Sequence, residues 1–156
     1  VAYATISERT SVYALVDLCT IMGYKPVIFE TQNREGKSVY HTDLMMSIGQ
    51  DFTIFCYDLL NKEDKAKVEK SLYGHNVIEI SMEQFEHMAG NVLQVKNKDG
   101  KKYFIASENA LNSYTPQQLS VITNSSTIIA LKIPTIEEIG GGSARCLLGD
   151  LYLKKS

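Results

Sequence analysis

Three cysteines in 156 residues, odd in number and far apart, leave no basis for a disulfide framework. No Cys-x-x-Cys pair marks a zinc or dithiol site either. Basic blocks are also missing. With 16 Lys and Arg against 18 Asp and Glu, a formal net charge of -2 gives no electrostatic footprint for nucleic acid or a membrane surface. The longest apolar runs, such as residues 128–131, are strand-sized, which excludes a membrane-spanning helix. No charged-then-apolar leader precedes a small-residue cleavage site, so the expected location is cytoplasmic. What is present is ordinary for a globular chain: 44% apolar and 22% charged residues, enough for one domain with a core.

Element patterns recur along the chain. "AYATIS" reads as a strand, and "TSVYALVDLCTIMG" carries Val12, Leu15, Val16 and Cys19 at helical spacing between a Thr10 or Ser11 cap and Gly23. "KPVIFET" is a strand again. The second unit reads as strand-like "SVYHTDLMMSIG", a turn, the paired strand "FTIFCYDLL", and a polar helix from Asn61 to Gly74. The strand "NVIEIS" closes it. A short helix behind Ser81 then leads to "NVLQVKN", the Asp-Gly hairpin at "KDGK", and "KYFIASE". Next come a helix with Thr115 as cap and Pro116 in its first turn, and the strand "TIIALKI". A fourth unit opens with "TIEEIGGGSARCLLGDLYL". The period is close to fifty residues. His41, Asn91 and Cys146 stand at the expected first-strand starts of successive units, 50 and 55 positions apart. Units packed about a pseudo-symmetry axis would bring the three together.

Gly140, Gly141 and Gly142 lead through Ser143 to Cys146. A phosphate cradle needs a helix and a Gly-Lys-Ser/Thr end after such glycines, and "ARCLLGDLYL" alternates like a strand instead. Two alternatives remain for Cys146. One is a thiolate nucleophile given room by its glycines; the other is a tight turn before a buried cysteine. Cys19 and Cys56 lie in apolar stretches and read as small buried hydrophobes. On a strand, His41 and Asp43 would share a face, suited to proton transfer beside the anchoring of a cation. His75 and His87 fall on turn and helix surfaces. Arg9 follows the first strand and could clamp a carboxylate, or pair with Glu8 on the surface.

"ISERT", "YHTD", "MAGN" and "GGGSARC" together resemble the guanidino-group-modifying (pentein) superfamily of arginine deiminases and amidinotransferases. The resemblance runs from Val1 to Leu153 and is nearest the branch that includes citrulline-utilisation hydrolases. It implies an α/β propeller of ββαβ modules around a pseudo-fivefold axis, with about three of five modules here. The whole chain, residues 1–156, would then be the C-terminal part of one catalytic domain, as its start at Val1 inside a strand also suggests. By resemblance, Cys146 is the nucleophile and His41 the general acid/base. Asp43 binds guanidinium or ureido nitrogens, and Arg9 takes the substrate carboxylate. Asn91, Gly141 and Gly142 complete the expected binding set. Asp43 is of the deiminase form, where the nearest branch carries Asn, and no Glu-Gly-Gly-Asp-like motif occurs. The implied reaction is C–N hydrolysis of a guanidino or ureido compound through a covalent Cys adduct. Amidino transfer and a binding-only module are the alternatives. No metal or organic cofactor is expected. The expected partners are the small-molecule substrate and the N-terminal part of the same protein, with self-association into a homo-oligomer left open.

Overall fold

A computed structural model describes residues 1–149. Strand β1 (Ala2–Thr5) pairs in parallel with β2 (Pro26–Phe29), and helix α1 (Val12–Met22) crosses between them. Two ββαβ modules follow. In the first, β3 (Met46–Ile48) is antiparallel to β4 (Thr53–Phe55), helix α2 (Lys62–Ser71) crosses over, and β5 (Val77–Glu79) lies parallel to β4. A connecting helix, α3 (Met82–Glu86), leads to the second module. There β6 (Leu93–Lys96) is antiparallel to β7 (Lys102–Ser107). Helices α4 (Glu108–Ser113) and α5 (Pro116–Ser125) make the crossover, and β8 (Thr127–Leu131) lies parallel to β7. Helix α6 (Pro134–Gly140) then leads into the glycine loop.

The helix starts follow local chemistry. Ser11, Asn61 and Ser107 side chains each accept a first-turn N–H. Ser81 with Gln84, and Thr115 with Gln118, form full capping boxes. The two boxes interlock, because Gln84 Nε2 donates to Gln118 Oε1 at 2.7 Å and Gln118 Nε2 donates to the Glu79 carbonyl at 2.6 Å. Gly23 ends α1 with φ 67°, the left-handed conformation that glycine adopts without steric cost.

The core lies between the sheets and the α2–α5 layer, with Phe29, Phe55, Phe104, Ile54, Met45 and Leu59 fully or almost fully buried. Each large side chain so buried contributes about 1.5–3 kcal/mol. Helix α1 departs from the amphipathic expectation. Only Cys19 is buried, while Tyr13 is 87% and Ile21 81% exposed, with Val12, Val16, Leu18 and Met22 also open.

Several strand expectations are corrected. The segment around His41 and Asp43 is no strand: Thr42–Leu44 form a 3₁₀ turn, with β3 starting only at Met46. The Thr5 N–H donates to Thr42 Oγ1 at 3.0 Å, which holds that segment against the end of β1. Strand β4 stops at Phe55, and Tyr57–Leu59 form another 3₁₀ turn. Helix α2 ends at Ser71, before Gly74. Helices α4 and α6 were not expected. Arg145–Leu147 form a 3₁₀ turn instead of the start of a strand, and the rest of that strand expectation, residues 150–153, lies outside the described residues.

One close approach sets the position of the site. A Cβ on Gly90 would sit 2.3 Å from the Leu44 carbonyl oxygen and 2.8 Å from Met45 backbone atoms. The two entry segments of β3 and β6 therefore touch backbone to backbone. Gly90→Ala is expected to cost about 3 kcal/mol or more, at the upper end for overpacking, because backbone rather than a flexible side chain must give way. Chemical denaturation of the variant checks this, and an unchanged midpoint would contradict the packing described.

Candidate active site

Three connections meet at one end of the sheets: the segment entering β3, the segment entering β6, and the loop after α6. Asn91, fully buried, joins them. Its Nδ2 donates to the Asp43 carbonyl at 2.9 Å and to Cys146 Sγ at 3.2 Å. Its Oδ1 accepts the N–H of Ser143 at 2.8 Å and of Cys146 at 3.3 Å. Its own carbonyl accepts the Arg145 N–H at 3.2 Å. One amide therefore satisfies two donors and two acceptors, the full capacity of the group.

Cys146 stands exposed on the 3₁₀ turn, and its thiol donates to Asp43 Oδ2 at 3.6 Å. Gly142 leaves the space it needs, since a Cβ there would lie 2.8 Å from Sγ. Gly141 has φ 68°, and its carbonyl accepts the Tyr40 hydroxyl. The Tyr40 ring lies 4.9 Å from the His41 ring, centroid to centroid, and the Arg9 guanidinium carbon is 5.1 Å from its centre. Partial burial and the neighbouring Cys146 push the Tyr40 phenol above its ordinary value, against the pull of Arg9. Tyr40 therefore remains a donor at neutral pH.

Arg9, Tyr40, His41, Glu138, Ile139, the three glycines and Cys146 line a cavity of about 440 Å³. A cationic side chain, an imidazole, a carboxylate and a thiol thus border one opening. Asp43 reaches the sulfur and lines a separate recess with Arg145. His41 borders the thiol's cavity and Asp43 does not, and the two do not share a strand face. The register expectation is likewise altered. Asn91 and Cys146 are in contact, whereas His41 shares a cavity with Cys146 only, because it lies five residues before β3 and not at its start. Of the other cysteines, Cys19 and Cys56 are buried. His75 and His87 are exposed. Arg9 is paired with the Tyr40 face rather than with Glu8.

Sequence inspection missed Tyr40 and Glu138. Tyr40 carries no signal beyond its place before His41. Glu138 depends on α6, whose start was marked by Pro134 in the first turn and whose end was marked by Gly141. Among the described residues, no group of three or more His, Cys, Asp or Glu is arranged to hold a metal ion, and no helix is long and apolar enough to cross a membrane.

A family model described as N,N dimethylarginine dimethylhydrolase, eukaryotic, matches residues 1–153. No curated protein sequence matches the chain. Among solved structures, the chain is similar to the N-terminal domain of ArgZ bound to product, an arginine dihydrolase from the ornithine-ammonia cycle in cyanobacteria. That match has 12% identity and a TM-score of 0.71, and covers 93% of this chain and 49% of that one. Unliganded AgrE matches at 14% identity and a TM-score of 0.72, over 93% of this chain and 20% of that one. SxtG, an amidinotransferase from Microseira wollei in the saxitoxin biosynthetic pathway, matches at 15% identity and a TM-score of 0.63, over 92% of this chain and 42% of that one. The chain therefore spans between a fifth and a half of the length of these solved chains. At such identities the likeness establishes the fold, which is the α/β pentein fold.

Proposed function

Since the chain belongs to the family of eukaryotic N,N dimethylarginine dimethylhydrolases, within the guanidino-group-modifying superfamily, we propose that it carries the nucleophile side of a thiol-dependent C–N hydrolase. The substrate is a small guanidino or ureido compound, and an N-methylated arginine is favoured by the family match. The observation that carries this reading is the exposed Cys146 thiol, held by Asn91 at the mouth of a cavity shared with His41 and Arg9.

In the proposed mechanism, the Cys146 thiolate attacks the trigonal carbon of the guanidinium. A free thiol titrates near ~8.5, so the thiolate needs local support. Asn91 Nδ2–H supplies one hydrogen bond to it. A guanidinium arriving at Asp43 supplies more, because it replaces the thiol as the donor to that carboxylate and brings a positive charge beside the sulfur. His41 protonates the departing nitrogen and then activates the water that releases the thiouronium adduct. Dimethylarginine and water thus yield citrulline and dimethylamine, and arginine yields citrulline and ammonia. Citrulline as substrate would yield ornithine, carbon dioxide and ammonia. In this reading Arg9 takes the substrate carboxylate, and its stacking on Tyr40 beside the cavity supports that role.

Further modules of the same fold would complete the pocket, supplied by an N-terminal part of the same protein. The exposed apolar residues of α1 and the greater length of the similar structures support this. A cytoplasmic setting fits three free cysteines, one of them exposed. The test is the full-length protein against arginine, citrulline and methylated arginines, with amine, ammonia, citrulline and ornithine measured, and with an added amine acceptor to detect transfer. Amine release from methylated arginine with stoichiometric citrulline is the expected result. Turnover of none of these compounds would overturn the proposal.

A further inference from the structure

Helix α6 is built inside out. None of its residues is buried, and Ile139 is 81% exposed, with Ile136 also open to solvent. The one position along residues 134–140 that turns inward is a carboxylate, Glu137. An amphipathic helix ordinarily docks through its apolar stripe. This one is fastened by hydrogen bonds instead.

Each oxygen of Glu137 has a donor. Oε1 accepts the Ser143 hydroxyl at 2.5 Å, and Oε2 accepts Asn109 Nδ2–H at 3.2 Å. Asn109, on α4, is held in turn through its Oδ1, 2.8 Å from His87 Nδ1. Ser143 is fully buried, and its N–H is one of the two that fix the Asn91 amide. A continuous chain of contacts thus runs from α4 through Glu137, Ser143 and Asn91 to the Cys146 sulfur. It bridges the three glycines, which have no side chains of their own to hold the loop and large conformational entropy to lose.

We propose that Glu137 is a positioning residue for the nucleophile. By anchoring Ser143 to the body of the second module, it aligns the Ser143 N–H on Asn91 Oδ1, and so keeps Asn91 Nδ2–H directed at Cys146 Sγ. Glu137 is not among the residues lining the thiol cavity; its half-buried carboxylate borders a separate recess between α4 and α6. This inference rests on Cys146 being the nucleophile, and its main readout does not need turnover.

The test follows carboxymethylation of Cys146 by iodoacetamide against pH, with mass-spectrometric quantitation of its peptide, in the full-length wild type and in E137A, E137Q, S143A and E137A/S143A. Without the anchor, the hydrogen bond that favours the thiolate is misaligned. The alkylation midpoint of E137A should move up by about 0.5 pH unit or more. E137Q, whose amide oxygen still accepts from Ser143, should recover part of the shift. S143A should move the same way, and the double variant should be no worse than E137A, as expected of residues acting in one chain. Where turnover is measurable, kcat per enzyme with a free Cys146 thiol should fall roughly tenfold or more while KM changes little, because the defect lies in the chemical step. Wild-type alkylation profiles in both E137A and S143A would overturn the proposal, as would additive effects in the double variant. If E137A does not fold, S143A and E137Q carry the same test. Absence of turnover in the wild type would defeat the proposed reaction and leave the alkylation result to decide the role of Glu137.

Discussion

Cys146→Ala in the full-length protein is expected to abolish turnover, with a fall in kcat on the order of 10⁴ or more, as for loss of a covalent nucleophile. The expectation follows from environment, not only from residue type. Cys19 is 2% exposed and Cys56 is fully buried. Burial, reinforced by the Asp58 carboxylate, pushes the Cys56 thiol up to about 12. Neither thiol is open to a ligand. Cys146 is exposed, borders the cavity and receives an N–H at its sulfur. Iodoacetamide near pH 7 should therefore label Cys146 faster than either buried cysteine, and labelling should inactivate in proportion. Cys146→Ser should also be inactive, since a hydroxyl at this position has no base strong enough to ionise it. Retained turnover in Cys146→Ser would sink the covalent mechanism. Equal labelling of all three cysteines would contradict the burial described.

The second large effect is expected at Asn91. Asn91→Ala removes four side-chain hydrogen bonds at once. It leaves the buried Ser143 N–H without its acceptor and opens a cavity in the floor of the site. A stability loss of about 3 kcal/mol is expected from one or two unsatisfied buried groups plus lost packing. Turnover should fall on the order of 10²-fold or more, as misplacement of a catalytic group allows. Asn91→Asp tests the donor directly. It keeps the Oδ1 acceptor for Ser143 but sets an oxygen against Cys146 Sγ and against the Asp43 carbonyl, so stability falls as well. Its alkylation profile should move to higher pH. Melting curves alongside alkylation profiles check both. An Asn91→Asp thiol with unchanged pH dependence would contradict the role assigned to Nδ2.

Local chemistry made much of the fold legible. Ser11, Asn61, Ser81 and Thr115 announced their helices because a cap acts within four residues of itself. The Asp99–Gly100 turn announced its hairpin, with Gly100 at φ 82°. The family-bearing motifs identified the superfamily, although the matching family model is the dimethylarginine one rather than the citrulline-utilisation branch. What escaped was decided over long range. Placing His41 and Asp43 on a strand assumed two-residue alternation. The chain instead turns at Thr42, where Leu44 N–H bonds the His41 carbonyl at 3.2 Å. Helix α6 was obscured by its exposed isoleucines, which mimic the composition of a strand. Asn91 entered through repeat spacing, yet its position depends on the contact between Gly90 and Leu44, which no local pattern encodes.

The interlocked caps of Gln84 and Gln118 carry a consequence for how this end of the molecule opens. Helix termini ordinarily fray one at a time, at little free-energy cost. Here the start of α3 cannot release Gln84 without breaking its bonds to the Ser113 carbonyl and to Gln118. Gln118 is itself bound to the Glu79 carbonyl at the end of β5. Two helix starts and a strand end thus breathe as a unit. Since α3 leads directly to Asn91, the floor beneath the thiol inherits the exchange protection of that unit, and amides there should open with the module rather than with the loop above them.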